Sequence, residues 1–546
     1  MSHTRTPPRF VPLAERIIDG LLAADPALAS SAGDHRYDDQ LPDLSADGTS
    51  ARVAMLRDAA QALAGVDTDG LDPAERVDHD QLLSLVERSL FQLTEVRENE
   101  WNPLVHNPGT LLNALVARPF AAPAQRLESL AGRLAAVPDA MATARAILRE
   151  CPRMHLETGA DQFRGTAALV RDRVPDLLRQ APGLASTVEP LAVAAGDALV
   201  AFADWLRDLG MTGADQGRDP RLGRRLWEAK LWHTLDTELT AAEVLRLAKE
   251  RLDLLSDEIR ATAAAMVGGR ADDDTVRAAL LRLAADRPDD TTIVALATRT
   301  LDETTAFVRD ADLVSLVDDP VEVLEMPEFA RGVAVAYCES PGPLEADGVP
   351  TFYCIAPTPT AWSPERVESF YREYNTHMVH NLTVHEAMPG HYLQLAHARR
   401  YRGSTRTRAV ARSGPFIEGW AVYSEQAVAE RGYGGLPFRL HQLKLQLRMV
   451  INAILDQLVH CEDMTEGEAM ALMTQRGFQE EGEAAGKWRR AVLTSTQLST
   501  YFVGYTEVAA IAARRPDGVS ARDWHDAMLG QGSPSPRHLR TVLGLA

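Results

Sequence analysis

Two histidines and a glutamate lie close together in the stretch Thr383-Val-His-Glu-Ala-Met-Pro-Gly-His-Tyr392. The imidazoles of His385 and His391 are suited to hold Zn²⁺, and the carboxylate of Glu386 could move a proton to or from a water on that metal. In the common form of such a site, H-E-x-x-H, the two histidines share one face of a helix. Here Pro389 occupies the position of the second histidine, and the next histidine comes two residues later.

A histidine pair at this spacing needs a change in backbone direction. On a regular helix, residues i and i+6 lie about 120° apart around the axis, so the two rings would diverge. Pro389 lacks an N–H group and clashes with the preceding turn, and Gly390 tolerates a positive φ. The Pro-Gly pair therefore predicts that the helix breaks and that His391 turns back toward His385. An ordinary helix and turn that carries two histidines is the alternative.

A third metal ligand is expected in Phe416-Ile-Glu-Gly-Trp-Ala-Val-Tyr-Ser-Glu425. Small and apolar residues surround Glu418, so its carboxylate would enter a largely dry environment, where a metal offsets the cost of burying a charge. A solvent-facing Glu418 on an amphipathic helix is the alternative. Glu425 lies on the same helix face and is either a rival ligand or a hydrogen-bond partner of a ligand.

These two motifs, H-E-A-M-P-G-H from His385 and E-G-W-A-V-Y-S-E from Glu418, resemble the large bacterial family known as domain of unknown function 885. Their plan is similar to that of the helical zinc peptidases thimet oligopeptidase and carboxypeptidase Taq. The resemblance is strong over the last third of the chain. It continues through Asp456 and His460, and through Gln497, Tyr501 and Gly504.

The chain departs from the family pattern at two places. Tyr392 replaces a frequent second histidine after His391, which leaves the metal ligands intact. Ser495-Thr496 replaces a usual Pro-Gly before Gln497, so the loop that leads to Tyr501 is the less certain part of the resemblance.

The motifs and the resemblance together predict a zinc site made by His385, His391 and Glu418, with one open position for water. Glu386 would take a proton from that water and deliver it to the leaving amine. The oxyanion of the tetrahedral intermediate also needs a hydrogen-bond donor, and the candidates are Tyr501 and His460. A buried tyrosine that merely satisfies its own hydroxyl is the alternative for Tyr501.

Three further residues are expected to support this chemistry. Asp456 precedes His460 by one helical turn and could orient its ring. Gln497 belongs to the same resemblance. Arg490 could meet a carboxylate of the substrate, although Arg489 beside it is an equally plausible choice from the sequence.

The remaining sequence predicts mainly helices. Apolar residues recur at helical spacing from residue 9 onward and almost without interruption from 110 to 315. We expect a mainly α, two-lobed body like that of the helical metallopeptidases, with a helical N-terminal lobe over residues 1–330 and a catalytic lobe over 331–546. Ser363 and Pro364 predict a helix start, and Thr465 with Glu468 predicts a capping box.

A small antiparallel β ribbon is expected over residues 331–356. Two apolar, β-prone runs flank a segment rich in proline and glycine in this range. Because zinc peptidases commonly bind the substrate backbone along an exposed strand, residues 350–356 are predicted to serve as that strand. A hairpin that merely caps the helices is the alternative.

The amino-acid composition limits the classes of binding partner. The net charge of -20 disfavours nucleic acid and anionic membranes, since both attract basic surfaces. The sequence predicts neither an apolar leader nor a run of about 18 apolar residues, which favours a cytoplasmic location without a membrane partner. The four cysteines form no C-x-x-C pair. The sequence does not indicate an oligomeric state.

The sequence as a whole predicts a zinc metallopeptidase that hydrolyses short peptides or peptide-like molecules. Two other classes fit the same residues. One is a zinc enzyme that acts on a non-peptide amide or a biosynthetic intermediate, and the other is a catalytically silent helical binding protein. Retention of His385, Glu386, His391 and Glu418 together argues against the silent protein.

Overall fold

The computed structural model describes residues 9–212, 217–327, 331 and 334–545. The chain divides into two compact units. Unit 1 comprises Met1–Pro220, Pro341–Val349 and Gly403–Ala411, and unit 2 comprises Arg221–Ser340, Pro350–Arg402 and Arg412–Ala546. The predicted lobe boundary at residues 330/331 lies inside unit 2, because the helices that follow residue 220 pack against the helices of the predicted catalytic lobe.

Unit 1 is helical throughout its described part. Its first helix, α1, begins at Phe10, next to the start of the predicted helical spacing at residue 9. Two separate apolar cores hold the unit together. The helices are α1 (Phe10–Ala24), α2 (Pro26–Ala32), α3 (Ala46–Ala64), α4 (Pro73–Phe91), α5 (Glu98–Trp101), α6 (Gly109–Ala117), α7 (Pro123–Ile147), α8 (Arg153–Leu178) and α9 (Ala185–Thr212), with α17 (Thr407–Val410) from the later insertion.

Helix α9 is more apolar than the sequence was expected to contain. The segment Pro182–Met211 is long and apolar enough to cross a membrane by length and composition, with a mean hydropathy of 1.4 in its most apolar window. The expectation that no run reaches this level is therefore wrong. One face of α9 packs with α7 and α8 through Leu199, Phe202 and Leu206, and only 17% of that window is buried.

Unit 2 combines helices with one small sheet. Its helices are α10 (Arg224–Leu235), α11 (Ala241–Val267), α12 (Asp273–Leu283), α13 (Ile293–Asp310), α14 (Pro364–Glu373), α15 (Thr376–Glu386), α16 (His391–Ala398), α18 (Gly414–Glu430), α19 (Gly435–Cys461), α20 (Glu466–Ala471), α21 (Glu481–Leu493), α22 (Ser499–Ala513), α23 (Ala521–Leu529) and α24 (Pro536–Val542). The mainly α fold class is thus confirmed, as are the start of α14 at Pro364 and the capping box of α20.

The sheet has three strands, β1 (Val321–Glu325), β2 (Ala336–Glu339) and β3 (Thr351–Ile355), in the order β1-β3-β2. The antiparallel pair β2–β3 lies within the predicted ribbon, whereas Gly332 and Val333 of that ribbon lie outside the described residues. The prediction missed β1, which pairs parallel with β3. Since β3 is the central strand and all five of its residues are buried, the expected substrate-binding edge at residues 350–356 is wrong.

The long helix α19 organises the rest of unit 2. It packs against α11, α15 and α22, and α18 packs against α22 and α15. The apolar core beneath these helices includes Phe416, Trp420 and Phe438. This arrangement brings the C-terminal end of α15, the first turns of α18 and the first turn of α22 to one place, which is where the candidate site lies.

Candidate metal centre

The predicted break between the two histidines is present. Helix α15 ends at Glu386, and α16 begins at His391. Gly390 sits so close to the preceding helix that a Cβ atom there would lie 1.9 Å from the carbonyl oxygen of His385. Its φ is -72°, so the expected positive φ is wrong, and close backbone approach explains the glycine instead.

The break brings the two imidazoles onto a common carboxylate. Nε2 of His385 and Nε2 of His391 each lie 3.5 Å from Oε2 of Glu418. The two ring centroids are 4.7 Å apart and the ring planes are nearly perpendicular, at 84°. Ligand atoms about 2.0–2.1 Å from a tetrahedral Zn²⁺ lie roughly 3.4 Å apart, so the observed separations match those of ligands around one ion.

An unsatisfied polar atom points to the same conclusion. Oε2 of Glu418, which faces Nε2 of both histidines, is buried and accepts no hydrogen bond within the described part of the chain. Buried polar atoms without partners are rare because each costs free energy. Among the described residues, His385, His391 and Glu418 form a group whose possible ligand atoms all lie within 4.8 Å of one another.

The charged groups in this cluster shift one another's pKa values. Burial opposes ionisation of Glu418, but its interactions with His385 and His391 outweigh that effect and lower the pKa of the carboxyl group. Burial likewise opposes protonation of His385, but Glu418 and Glu425 outweigh it and raise the pKa of that imidazole. A divalent cation could take the place of these protons, since it supplies positive charge at the same point.

Glu425 contacts one of the candidate ligands, His385, and lies outside the candidate ligand group itself. Its Oε1 lies 2.6 Å from Nδ1 of His385, and the residue is only 2% exposed. A carboxylate at Nδ1 holds the proton on that nitrogen, so Nε2 keeps its lone pair for a metal. The alternative of Glu425 as a rival ligand is therefore not supported by this geometry.

Glu386 stands next to the cluster without joining it. It is the last residue of α15, is 9% exposed and makes neither a hydrogen bond nor an ion pair with any other described residue. Its charge acts on His385, which places the carboxylate within electrostatic range of the cluster. This is the position expected of a group that exchanges protons with water.

Two contacts fix α18 in place. The indole Nε1 of Trp420 donates a hydrogen bond of 2.8 Å to the carbonyl oxygen of Pro389 in the break. Gly419 of α18 touches Gly504 of α22 so closely that a Cβ on Gly419 would lie 2.3 Å from the Gly504 backbone. This role of the two glycines was not predicted from the sequence. The small residues at these positions of the two helices were the feature that could have indicated a close helix contact.

Tyr501 lies at the start of α22, on the side of Glu418. Burial raises the pKa of its phenol, and the negative charge of Glu418 adds to the effect, so the hydroxyl stays protonated. Arg490 donates hydrogen bonds from Nη2 to the Tyr501 hydroxyl, at 3.3 Å, and to Oε1 of Gln497, at 2.9 Å. The structure therefore brings together three of the predicted residues beside the cluster.

Comparison with known families decides the relationship of the chain. The family described as "Bacterial protein of unknown function (DUF885)" matches residues 26–543. The chain belongs to this family. A comparison with curated proteins found no significant match.

Solved structures similar to this DUF885 chain include a candidate lipoprotein of unknown function from Shewanella oneidensis. It is 26% identical, with a TM-score of 0.81 over 98% of this chain and 100% of that one. A candidate lipoprotein from Colwellia psychrerythraea is 16% identical, with a TM-score of 0.79 and 98% of each chain covered. An M32 carboxypeptidase from Deinococcus radiodurans R1 is 12% identical, with a TM-score of 0.40 over 98% of this chain and 94% of that one.

The descriptions of the first two structures concern those proteins. They call them candidate lipoproteins and do not support the cytoplasmic location that the sequence suggested for this chain.

The unusual loop of this DUF885 protein is well anchored. Thr496 has a φ of +65°, in the region that favours glycine, where the family pattern usually has one. Its N–H donates to Oδ1 of Asp456, and its hydroxyl contacts that of Thr234. Ser495 accepts a hydrogen bond from Lys230. These bonds hold the loop although Pro-Gly is absent.

Asp456 and His460 have other roles than predicted. Asp456 accepts hydrogen bonds from Trp227, Thr496 and Ser499, so it fixes the start of α22 rather than the ring of His460. His460 accepts from the Leu222 N–H at Nδ1 and contacts the carbonyl oxygens of Ala491 and Thr494 with Nε2. Since both of its nitrogens are engaged with backbone, His460 is not available to an oxyanion.

His377 and His380, a second histidine pair on α15, do not form a metal site with other described residues. His380 contacts the hydroxyl of Tyr433 through Nδ1, and burial lowers the pKa of both imidazoles. They are therefore neutral packing residues of the helix.

Proposed function

We propose that this protein is a zinc-dependent peptidase that hydrolyses short peptides. The observation that carries the proposal is the convergence of His385, His391 and Glu418 around one point, where the buried Oε2 of Glu418 lacks a hydrogen-bond partner in the described chain. The residues fit Zn²⁺ by type, number and separation. Bound there, the ion would act as a Lewis acid that polarises the peptide carbonyl and makes a water more acidic.

Glu386 would act as the general base and general acid. Its carboxylate takes a proton from the attacking water and delivers it to the nitrogen of the leaving amine. Freedom from other partners in the described chain supports this role, because a carboxylate engaged in an ion pair would exchange protons less readily.

Tyr501 would stabilise the oxyanion of the tetrahedral intermediate. Arg490 donates to the oxygen of Tyr501, which leaves the hydroxyl hydrogen of Tyr501 free to donate to a substrate oxygen. Because burial and Glu418 raise the pKa of the phenol, this hydrogen is retained at neutral pH. Removal of one such donor typically lowers the rate by about 10²–10³-fold.

The preference for short peptides rests on the resemblance to helical zinc peptidases. A cytoplasmic location likewise remains a proposal, and cell fractionation with an antibody against the chain would test it.

The test combines metal analysis with one isosteric substitution. Purified protein should contain about one Zn²⁺ per chain, and Glu386→Gln should retain the metal while losing hydrolysis of a mixed peptide library. Glu430→Gln, which removes an exposed carboxylate at the end of α18, is the matched control and should behave as wild type. Wild-type activity in Glu386→Gln, or a protein that binds no metal at all, would overturn the proposal.

A further inference from the structure

Two cations on α21 lack carboxylate partners among the residues that the structure describes. Lys487 and Arg490 are three residues apart, so they project from the same face of the helix. Both side chains are half-buried. Arg490 bonds to two uncharged groups, Gln497 and Tyr501, and within the described chain Lys487 makes neither a hydrogen bond nor an ion pair.

The nearby carboxylates are already engaged by other cations. Oε1 of Glu483 lies 2.7 Å from Nη2 of Arg448, and its Oε2 accepts from the hydroxyl of Tyr374. Oε2 of Glu373 accepts from Nζ of Lys444 at 2.8 Å. Nη2 of Arg448 also lies 3.8 Å from Oε1 of Glu373. Neither carboxylate forms an ion pair with Lys487 or Arg490 within the described chain, so these two positive charges are not neutralised by a direct contact.

This positive charge is felt by Lys487. Burial lowers the pKa of its ammonium group to about 7, Glu483 opposes the shift, and Arg448 and Arg490 add to it. Half-buried cations that repel one another cost free energy unless a negative charge joins them. An anion placed between Lys487 and Arg490 would remove that cost.

The cation pair is connected to the metal centre. Arg490 donates to the Tyr501 hydroxyl, and the charge of Glu418 acts on the same phenol. Tyr501 therefore links the candidate metal ligands to Arg490. A substrate whose scissile carbonyl reaches Tyr501 would extend one end toward Lys487 and Arg490.

We propose that Lys487 and Arg490 form a carboxylate-binding subsite that recognises an anionic end of the peptide substrate. The inference rests on the proposed peptidase function and names the substrate class: peptides with a carboxylate close to the cleaved bond. That carboxylate is either the C-terminal group or an acidic side chain. Guanidinium and ammonium groups bind both by charge-assisted hydrogen bonds.

Binding is measured first, without turnover. Metal-loaded Glu386→Gln protein is titrated by calorimetry with three probes: N-acetyl-Ala-Ala, its C-terminal amide, and N-acetyl-Glu-Ala-amide. We expect the free acid or the glutamyl amide to bind at least about tenfold tighter than the neutral amide, as charged hydrogen bonds allow. The probe that gains affinity identifies the source of the carboxylate.

Substitutions then locate the effect. In the same background, Lys487→Gln should reduce that preference by about 10- to 100-fold, and Lys487→Arg should retain it. Arg489→Gln is the matched control, because it removes a positive charge from the exposed side of the same helix and should leave the preference unchanged. Circular dichroism melting of each variant establishes that it is folded.

The outcomes separate the two hypotheses. Equal affinity for all three probes, or a preference that survives Lys487→Gln, would overturn a subsite formed by the two cations. Failure of the wild-type protein to hydrolyse any peptide would overturn the proposed function while the calorimetric result still decides whether the cations bind a carboxylate.

Discussion

The carboxylate of Glu425 offers a sharp test of how the metal centre is built. Its Oε1 lies 2.6 Å from Nδ1 of His385 in a buried setting. Glu425→Gln keeps the shape and a carbonyl acceptor but removes the negative charge. Because a hydrogen bond to a charged group is roughly twice as strong as a neutral one, the loss is about 1.4–2.8 kcal/mol. Zinc affinity should therefore fall about 10- to 100-fold.

The assay is competition for Zn²⁺ with a chromophoric chelator, performed on metal-free protein. Glu430→Gln makes the same chemical change at an exposed position of the same helix and should bind zinc as wild type does. Melting of the metal-free proteins shows whether Glu425→Gln folds normally. Equal zinc affinity in Glu425→Gln and Glu430→Gln would refute the view that Glu425 prepares His385 for the metal.

Three further results are expected. Tyr501→Phe should lower kcat for peptide hydrolysis by about 10²–10³-fold with little change in zinc content, and a rate equal to wild type would contradict its role as an oxyanion donor. Gly504→Ala should destabilise the protein by about 1–3 kcal/mol or more, because the added Cβ would lie 2.1 Å from the Pro415 carbonyl oxygen. Gly486→Ala, in open space on α21, should instead stabilise it by about 0.5–1 kcal/mol. Urea denaturation measures the free energy of unfolding of both variants. Burial opposes protonation of His35, but hydrogen bonds to Asp38 and Glu345 outweigh it and raise the pKa of His35 to about 9. The protonated His35 therefore contributes fully to stability below the ordinary histidine pKa of about 6.5. That contribution is lost as the pH rises through about 9. Unfolding free energies of wild type and His35→Gln should therefore converge across that window, and a constant difference would contradict this.

Local signals in the sequence predicted local features well. Ser363 caps α14 by accepting from the Arg366 N–H, and Thr465 forms the expected capping box, because both motifs act within one helical turn. The break at Pro389 was predictable for the same reason. The grouping of His385, His391 and Glu418 was predicted from residue type, and the structure places these side chains together; that they bind a metal stays a prediction.

Features that depend on distant pairing could not be read from the sequence. Strand β1 is recognised only by its parallel pairing with β3, about thirty residues later. Asp456 bonds to Trp227, which precedes it by 229 residues, and this bond explains why Asp456 is buried without orienting His460. The lobe boundary was misplaced because helical periodicity shows that a helix has a buried face but does not show which helices cover it.

The metal centre depends on contacts between helices more than on any one helix. Glu425 of α18 holds His385 of α15, Trp420 of α18 holds the break before α16, and the glycine contact holds α18 against α22. Each contact positions a candidate ligand or the proposed oxyanion donor through a residue on another helix. Each of these hydrogen bonds and packing contacts contributes little free energy. Together they hold the side chains within the tolerance that metal coordination requires. A motif of correct residue types therefore becomes a metal site only when this set of helix contacts is formed.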